Sequence, residues 1–154
     1  MANSITVSRA QLLAGPAGRE LAISDWFPLT QEHIARFAEA TEDRQWIHTD
    51  ARRAEKESPF GAAVAHGFLT LSLLSHLMER AIRVQDARLA INYGLNRVRF
   101  PAPVRAGSRV RARFTLQASR EAGGAVEAVW GVVVEIEGGE RPGCVAEWIV
   151  RYYA

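Results

Sequence analysis

Between Gly67 and about Arg83 the chain reads "GFLTLSLLSHLMERAIR", and its apolar residues leave almost no wet side. On a helix, Phe68, Leu69, Leu71, Leu73, Leu74, Leu77 and Met78 fall around the whole circumference. A surface helix keeps a polar face; one that is apolar all round has to be wrapped. The pattern predicts a single central helix enclosed by the rest of the fold.

The enclosing material is legible further along. "LAINYGLNRVRF" reads as a strand, closed by Pro101 and Pro103. From Val110 to Ala118 apolar and polar residues alternate. Val126, Ala128, Trp130, Val132, Val134 and Ile136 form a second alternating row after the Gly123-Gly124 turn. Gly138-Gly139 and Pro142-Gly143 then set off a last strand, "CVAEWIVRYY". Upstream, Ser8 is placed to cap a short helix through Leu13, which Gly15-Pro16 ends. "ELAISDWF" reads as one short strand. Thr30 then caps a helix that buries Ile34, Phe37 and Ala38 and stops near Thr41. One buried helix followed by three or four meander strands, as an antiparallel sheet rolled around that helix, satisfies both patterns, which is an α+β hot-dog fold. With 154 residues and no repeat or linker, a single domain over residues 1–154 is expected.

Composition removes several classes of function. Hydrophobic residues make up 48% and charged residues 23%, as in a globular protein, and no run of about 18 apolar residues exists to span a membrane. The opening "MANSITVSRAQLLAGPAGRE" lacks the basic start and apolar core of a secretory signal. Cys144 is alone, so no internal disulfide is available, and a buried structural thiol is expected. These features place the chain in the cytoplasm. The net charge is +2, and Lys56 is the one lysine among many arginines. Six arginines lie between Arg97 and Arg113. However, Arg109, Arg111 and Arg113 alternate with Val110, Ala112 and Phe114, as one wet strand face would, with no aromatic platform interleaved. A solvated face is expected, and no nucleic acid.

The chemistry is concentrated just before the central helix, in "ATEDRQWIHTDARRAEKESPFGAAVAHG". Asp43 and His48 stand five apart in what reads as a loop, able to fold back over the helix start. A carboxylate and an imidazole are the residue types needed to hold and activate one water. A helix N-terminus offers unpaired N–H groups and partial positive charge, and Gly67 has no Cβ to keep a ligand away. An oxygen gaining negative charge would be stabilised there, so the chemistry suggested is addition or removal of water beside a carbonyl. Other readings of these residues stay open. Asp43 also suits a turn at a helix end, and His48 and His66 also suit packing roles. Asp43, His48, His66 and His76 are all potential metal ligands, but no H-x-x-x-H pair occurs, and no metal is expected.

"DRQWIH", followed after a loop by "PFGAAVAHGFLTLSLL", resembles the MaoC-like (R)-specific enoyl-CoA hydratases, or hydratase 2. The signature of that family runs D-x-N-P-x-H and then a V-H-G segment that opens the central hot-dog helix. Gln45-Trp46 together with "INYGLNRVRFPAPV" resembles its nodulation-protein-N-like branch, and the resemblance extends from about Trp26 to the C-terminus. It implies that Asp43 and His48 are the catalytic dyad. It further implies that the Gly67 N–H lies in the oxyanion hole and that Ser75 supports the site. Gln45 and Trp46 stand where the family usually has Asn and Pro.

The implied reaction is reversible syn hydration of a trans-2-enoyl-CoA to the (R)-3-hydroxyacyl-CoA. No separate cofactor is needed, coenzyme A being part of the acyl-CoA thioester substrate, with arginines at the pocket mouth to meet its phosphates. The resemblance also implies a homodimer. The alternatives are a hot-dog acyl-CoA thioesterase, which shares fold and ligand, and a non-catalytic acyl-binding module. The first usually places its acid differently, and the second has no need of the pair.

Overall fold

Three long strands carry the alternation seen in the sequence and turn one face of each inward. The computed structural model describes residues 4–154. In it β6 (Arg109–Ala122), β7 (Ala125–Ile136) and β8 (Cys144–Tyr153) run antiparallel in succession. Val110, Phe114, Trp130, Val134, Ala146 and Trp148 are buried on the inward face. On the other side Arg109, Arg111 and Arg113 pair with Glu137, Glu135 and Glu20 at 2.9, 2.6 and 2.8 Å. Cross-strand ion pairing thus occupies the arginines of that face, as a solvated strand surface would.

The full sheet has six strands in the order β2-β6-β7-β8-β5, with β3 also paired to β6. Here β2 is Arg19–Ile23, β3 is Phe27–Pro28 and β5 is Leu89–Arg99. The single strand expected from "ELAISDWF" is therefore two. Pairing runs as far as Ser24, whose N–H donates to Ala112 O at 2.9 Å while its Oγ accepts from Ala112 N. Beyond Ser24 the chain leaves the ladder and rejoins it at Phe27, opposite Val110. A second, two-stranded parallel sheet joins β1 (Ile5–Val7) to β4 (Ile82–Val84), and neither strand is signalled by the sequence pattern.

The central helix lies across the inward face in two segments, α5 (Gly67–Ser72) and α6 (Leu74–Glu79). Leu69, Leu74, Leu77 and Met78 are buried in the core cluster. Tyr152 ties helix to sheet, its hydroxyl accepting from Trp130 Nε1 at 3.2 Å and donating to Met78 Sδ at 3.4 Å. Three expectations are corrected. The expected single helix is divided at Leu73, which itself stays in helical backbone conformation, and just before it Ser72 Oγ donates back to Phe68 O at 2.7 Å, a type of bond that often bends helices. A tight turn with Ala81 N donating to Met78 O then ends the helix, so Ile82 onward is strand rather than helix. Nor is the helix enclosed on every side, since Phe68 is 68% exposed.

Before it come α1 (Arg9–Ala14), capped by Ser8, and α2 (Gln31–Thr41), capped by Thr30, both as expected. The segment read as an unstructured loop contains two more helices, α3 (Trp46–Thr49) and α4 (Ala51–Glu57). Asp50 caps α4 by accepting from Arg53 N at 3.0 Å. Among the described residues no helix is long and apolar enough to cross a membrane.

Candidate active site

The site is assembled from the end of α2, the short α3 and the start of α5. Glu42 ends α2 in the left-handed region (φ 59°), which swings the following residue off the helix axis. Asp43 therefore projects with its side chain 55% exposed. His48 belongs to α3, not to a loop, and is buried. Gln31, in the first turn of α2, donates to the His48 carbonyl at 2.7 Å. Val64 closes the other side, its N–H donating to Ile47 O at 3.0 Å.

The tautomer of His48 follows from its partner. Its Nδ1 lies 2.6 Å from Val64 O, and a carbonyl oxygen only accepts, so Nδ1 carries the hydrogen. Nε2 then presents a lone pair. Burial is the main influence on this ring and holds its pKa below the ordinary 6.5, with His66 pushing the same way. The Val64 bond and the Asp43 carboxylate oppose the shift without reversing it. The imidazole is thus neutral near pH 7 and available as a base.

His66 caps α5 and is buried between the other two. Its ring stacks on His48 with centroids 3.8 Å apart and a 25° tilt. Its Nε2 lies 3.0 Å from the Asp43 backbone oxygen and 4.0 Å from Asp43 Oδ2. Asp43, His48 and His66 each offer a ligand-type atom, all within 4.8 Å of one another. His76 does not join them; it packs edge-on against Phe27 at 5.1 Å.

Gly67 follows His66 directly and opens α5, which has no side-chain cap hydrogen bond. The first N–H groups of a helix have no partner within it. Glycine is also required here by a neighbour within the chain. A Cβ at Gly67 would meet the ring of Phe100 at 2.8 Å, so the close approach is by a side chain of this chain. Ser75 stands two turns further along, where it exchanges a hydrogen bond of 3.2 Å with Asn92. It borders two adjoining cavities of about 230 and 350 Å³ between the helix and strands β5 and β8. Trp148 and Asn92 also line both.

Sequence reasoning named Asp43, His48, Gly67 and Ser75, and the structure groups the first three around His66. Gln31, Val64 and Phe100 were missed. Two of the three act with or on backbone atoms, for which no residue pattern exists.

A sheet wrapped on one helix, with a carboxylate, a neutral imidazole and free helix amides at one end, defines a hot-dog protein equipped for acid–base chemistry. A family model described as "MaoC like domain" matches residues 13–137. The chain belongs to the MaoC-like dehydratase family, whose enzymes are hydro-lyases. It is 52% identical over 143 residues to the 3-hydroxyacyl-thioester dehydratase Z of Mycobacterium tuberculosis, covering 92% of this chain and 94% of the relative. It is 46% identical over 134 residues to Nodulation protein N of Rhizobium leguminosarum bv. viciae, covering 86% and 83%. Among solved structures, an (R)-hydratase from A. caviae involved in PHA biosynthesis superposes with a TM-score of 0.69 at 26% identity, covering 89% of this chain and 96% of that one.

Proposed function

We propose that this protein is an (R)-specific enoyl-CoA hydratase, adding water reversibly and syn to a trans-2-enoyl-CoA to give the (R)-3-hydroxyacyl-CoA. The observation that carries the reading is the His48 Nδ1–H donated to Val64 O, which leaves the Nε2 lone pair free on a ring close to the Asp43 carboxylate. That pair is suited to holding one water by two of its hydrogens. As the water oxygen bonds to C3, His48 Nε2 takes one of its protons, and the electrons of the C2–C3 double bond move onto the thioester oxygen. The Gly67 N–H meets that developing enolate. The imidazolium then returns its proton to C2 on the same face, so both additions are syn. Asp43 orients the water and offsets the transient positive charge on His48.

The cavities beside Ser75 accept the acyl chain, and coenzyme A enters with the substrate and not as a separate cofactor. The mechanism uses no metal. In the tautomer that faces the Asp43 carbonyl, His66 Nε2 bears hydrogen, and an N–H does not ligate a cation. We further propose a homodimer. Strand β5 is an unpaired sheet edge whose every second residue, Leu89, Ile91, Tyr93 and Leu95, is an exposed large apolar side chain. Phe68, Phe100 and Val145 add to this surface. Edges of this kind are normally covered, and a two-fold copy is the commonest cover.

The test is loss of enoyl absorbance with crotonyl-CoA and longer enoyl-CoAs, with chiral analysis of the product and thiol release followed in parallel. The (R)-3-hydroxyacyl product without free thiol is expected. Thiol release without hydration would replace this reading with a thioesterase. Asp43→Asn and His48→Ala should each lower kcat by about 10²-fold or more, and near-normal turnover in either would remove the dyad.

A further inference from the structure

His66 touches both members of the dyad and is itself assigned no task by the proposed chemistry. Its ring is 3% exposed, lies face to face with His48 at 3.8 Å, and is flanked on another side by Phe37 at 5.0 Å. Its Nε2 is 3.0 Å from the Asp43 carbonyl, so it donates there, and Nδ1 is left as an acceptor. Among the described residues that Nδ1 is buried with no hydrogen-bond partner. A buried acceptor left unpaired is costly, and a phenylalanine would fill the same space without it. What the imidazole adds over a phenyl ring is the single bond to Asp43.

We propose that His66 is a positioning residue of the dehydratase site, resting on the reading of Asp43 and His48 above. Its Nε2–H clamps the backbone that carries Asp43, and its face fixes the plane of the His48 ring. The two reacting groups lie on different segments, α3 and the turn after α2, joined by only a short stretch of chain. Without a strut between them the carboxylate, exposed and held otherwise by a 3.5 Å bond from Gln45 N, is free to swing. His66 also limits protonation of its neighbour. Burial is the larger cause of the lowered His48 pKa, and the stacked His66 ring acts in the same direction. Asp43 is the other charged group acting on His48, and it works in the opposite sense.

Three readouts test this: kcat and KM, thermal melting, and side-chain nitrogen NMR titration of the four histidines. In the native protein NMR should find His66 as the Nε2–H tautomer and His48 as the Nδ1–H tautomer. His66→Phe keeps the stack and removes the donor, and should lower kcat by about 10- to 100-fold with KM little changed. His66→Gln restores an N–H at a similar reach and should recover most of that loss. In both variants the His48 titration should move to higher pH, because the electrostatic influence of His66 that lowers it is gone. A folded His66→Phe protein with unaltered kcat and unaltered His48 titration would overturn the proposal. Loss of melting temperature and kcat together, with Gln no better than Phe, would also overturn it in favour of simple packing. The NMR arm needs no substrate. Coupling between the two rings in a protein that hydrates no enoyl-CoA would therefore retire the proposed reaction and leave the contact standing.

Discussion

At the scale of single residues, His48 shows how burial sets a working protonation state. Its pKa lies below 6.5 chiefly because the buried ring resists charge. If it is the base, kcat/KM should hold as pH falls through 6.5 and decline only at lower pH, in a profile measured from pH 5 to 8. Stability has the same sign. The folded-state pKa is depressed, so the contribution of neutral His48 is complete above 6.5 and is lost as pH falls toward the folded value. Melting temperature should drop over that interval, and His48→Gln should flatten the drop. Gly67 makes a second residue-scale prediction. In Gly67→Ala the new methyl would press on Phe100, displacing either that ring or the first turn of α5. The expected result is a roughly 10- to 100-fold loss of kcat. Phe100→Ala in the same chain should restore much of it, measurable as a double-mutant coupling.

At the scale of elements, the short helices and the split central helix set what the sequence could tell. Helices α1 and α2 were legible because Ser8 and Thr30 cap them in complete capping boxes and the buried face follows at helical spacing. The four residues of α3 are too few to show any period, although His48 depends on them. The division at Leu73 lies beside a bond between Ser72 Oγ and a backbone carbonyl, which serine alone does not disclose. The core contribution of the helix was legible, and it is testable. Leu77 is fully buried on α6 against the sheet, so Leu77→Ala should cost about 2–5 kcal/mol of unfolding free energy in a urea titration. Strand β8 offers a chemical test. Cys144 is fully buried and burial pushes its thiol up to about 11, so a thiol reagent should label it only after unfolding.

At the scale of the whole molecule, strand β5 is where the proposed dimer can be tested. Among the described residues it pairs with β8 along one side and with no strand on the other, and its side chains are exposed on both faces. If a second copy covers it, Ile91→Glu together with Leu95→Glu should place charge in the contact and shift the mass by light scattering from dimer to monomer. Activity should fall with it, because the cavities beside Ser75 and Asn92 border the same strand. A fully active native monomer at assay concentration would dismiss the dimer.

The alternation of β6, β7 and β8 and the apolar helix were written in the residues, because period and burial are local consequences of side-chain chemistry. Asp43 and His48 were open to a turn role and a packing role on spacing alone, and only the family signature around them singled the two out as a pair. The tautomer of His48, the strut from His66 to the Asp43 carbonyl and the pressure of Phe100 on Gly67 were not written in the residues. Each joins residues 16 or more positions apart, or uses a backbone oxygen that every residue possesses. Only the folded chain selects which carbonyl meets which ring, and that selection decides which nitrogen of His48 is free to act.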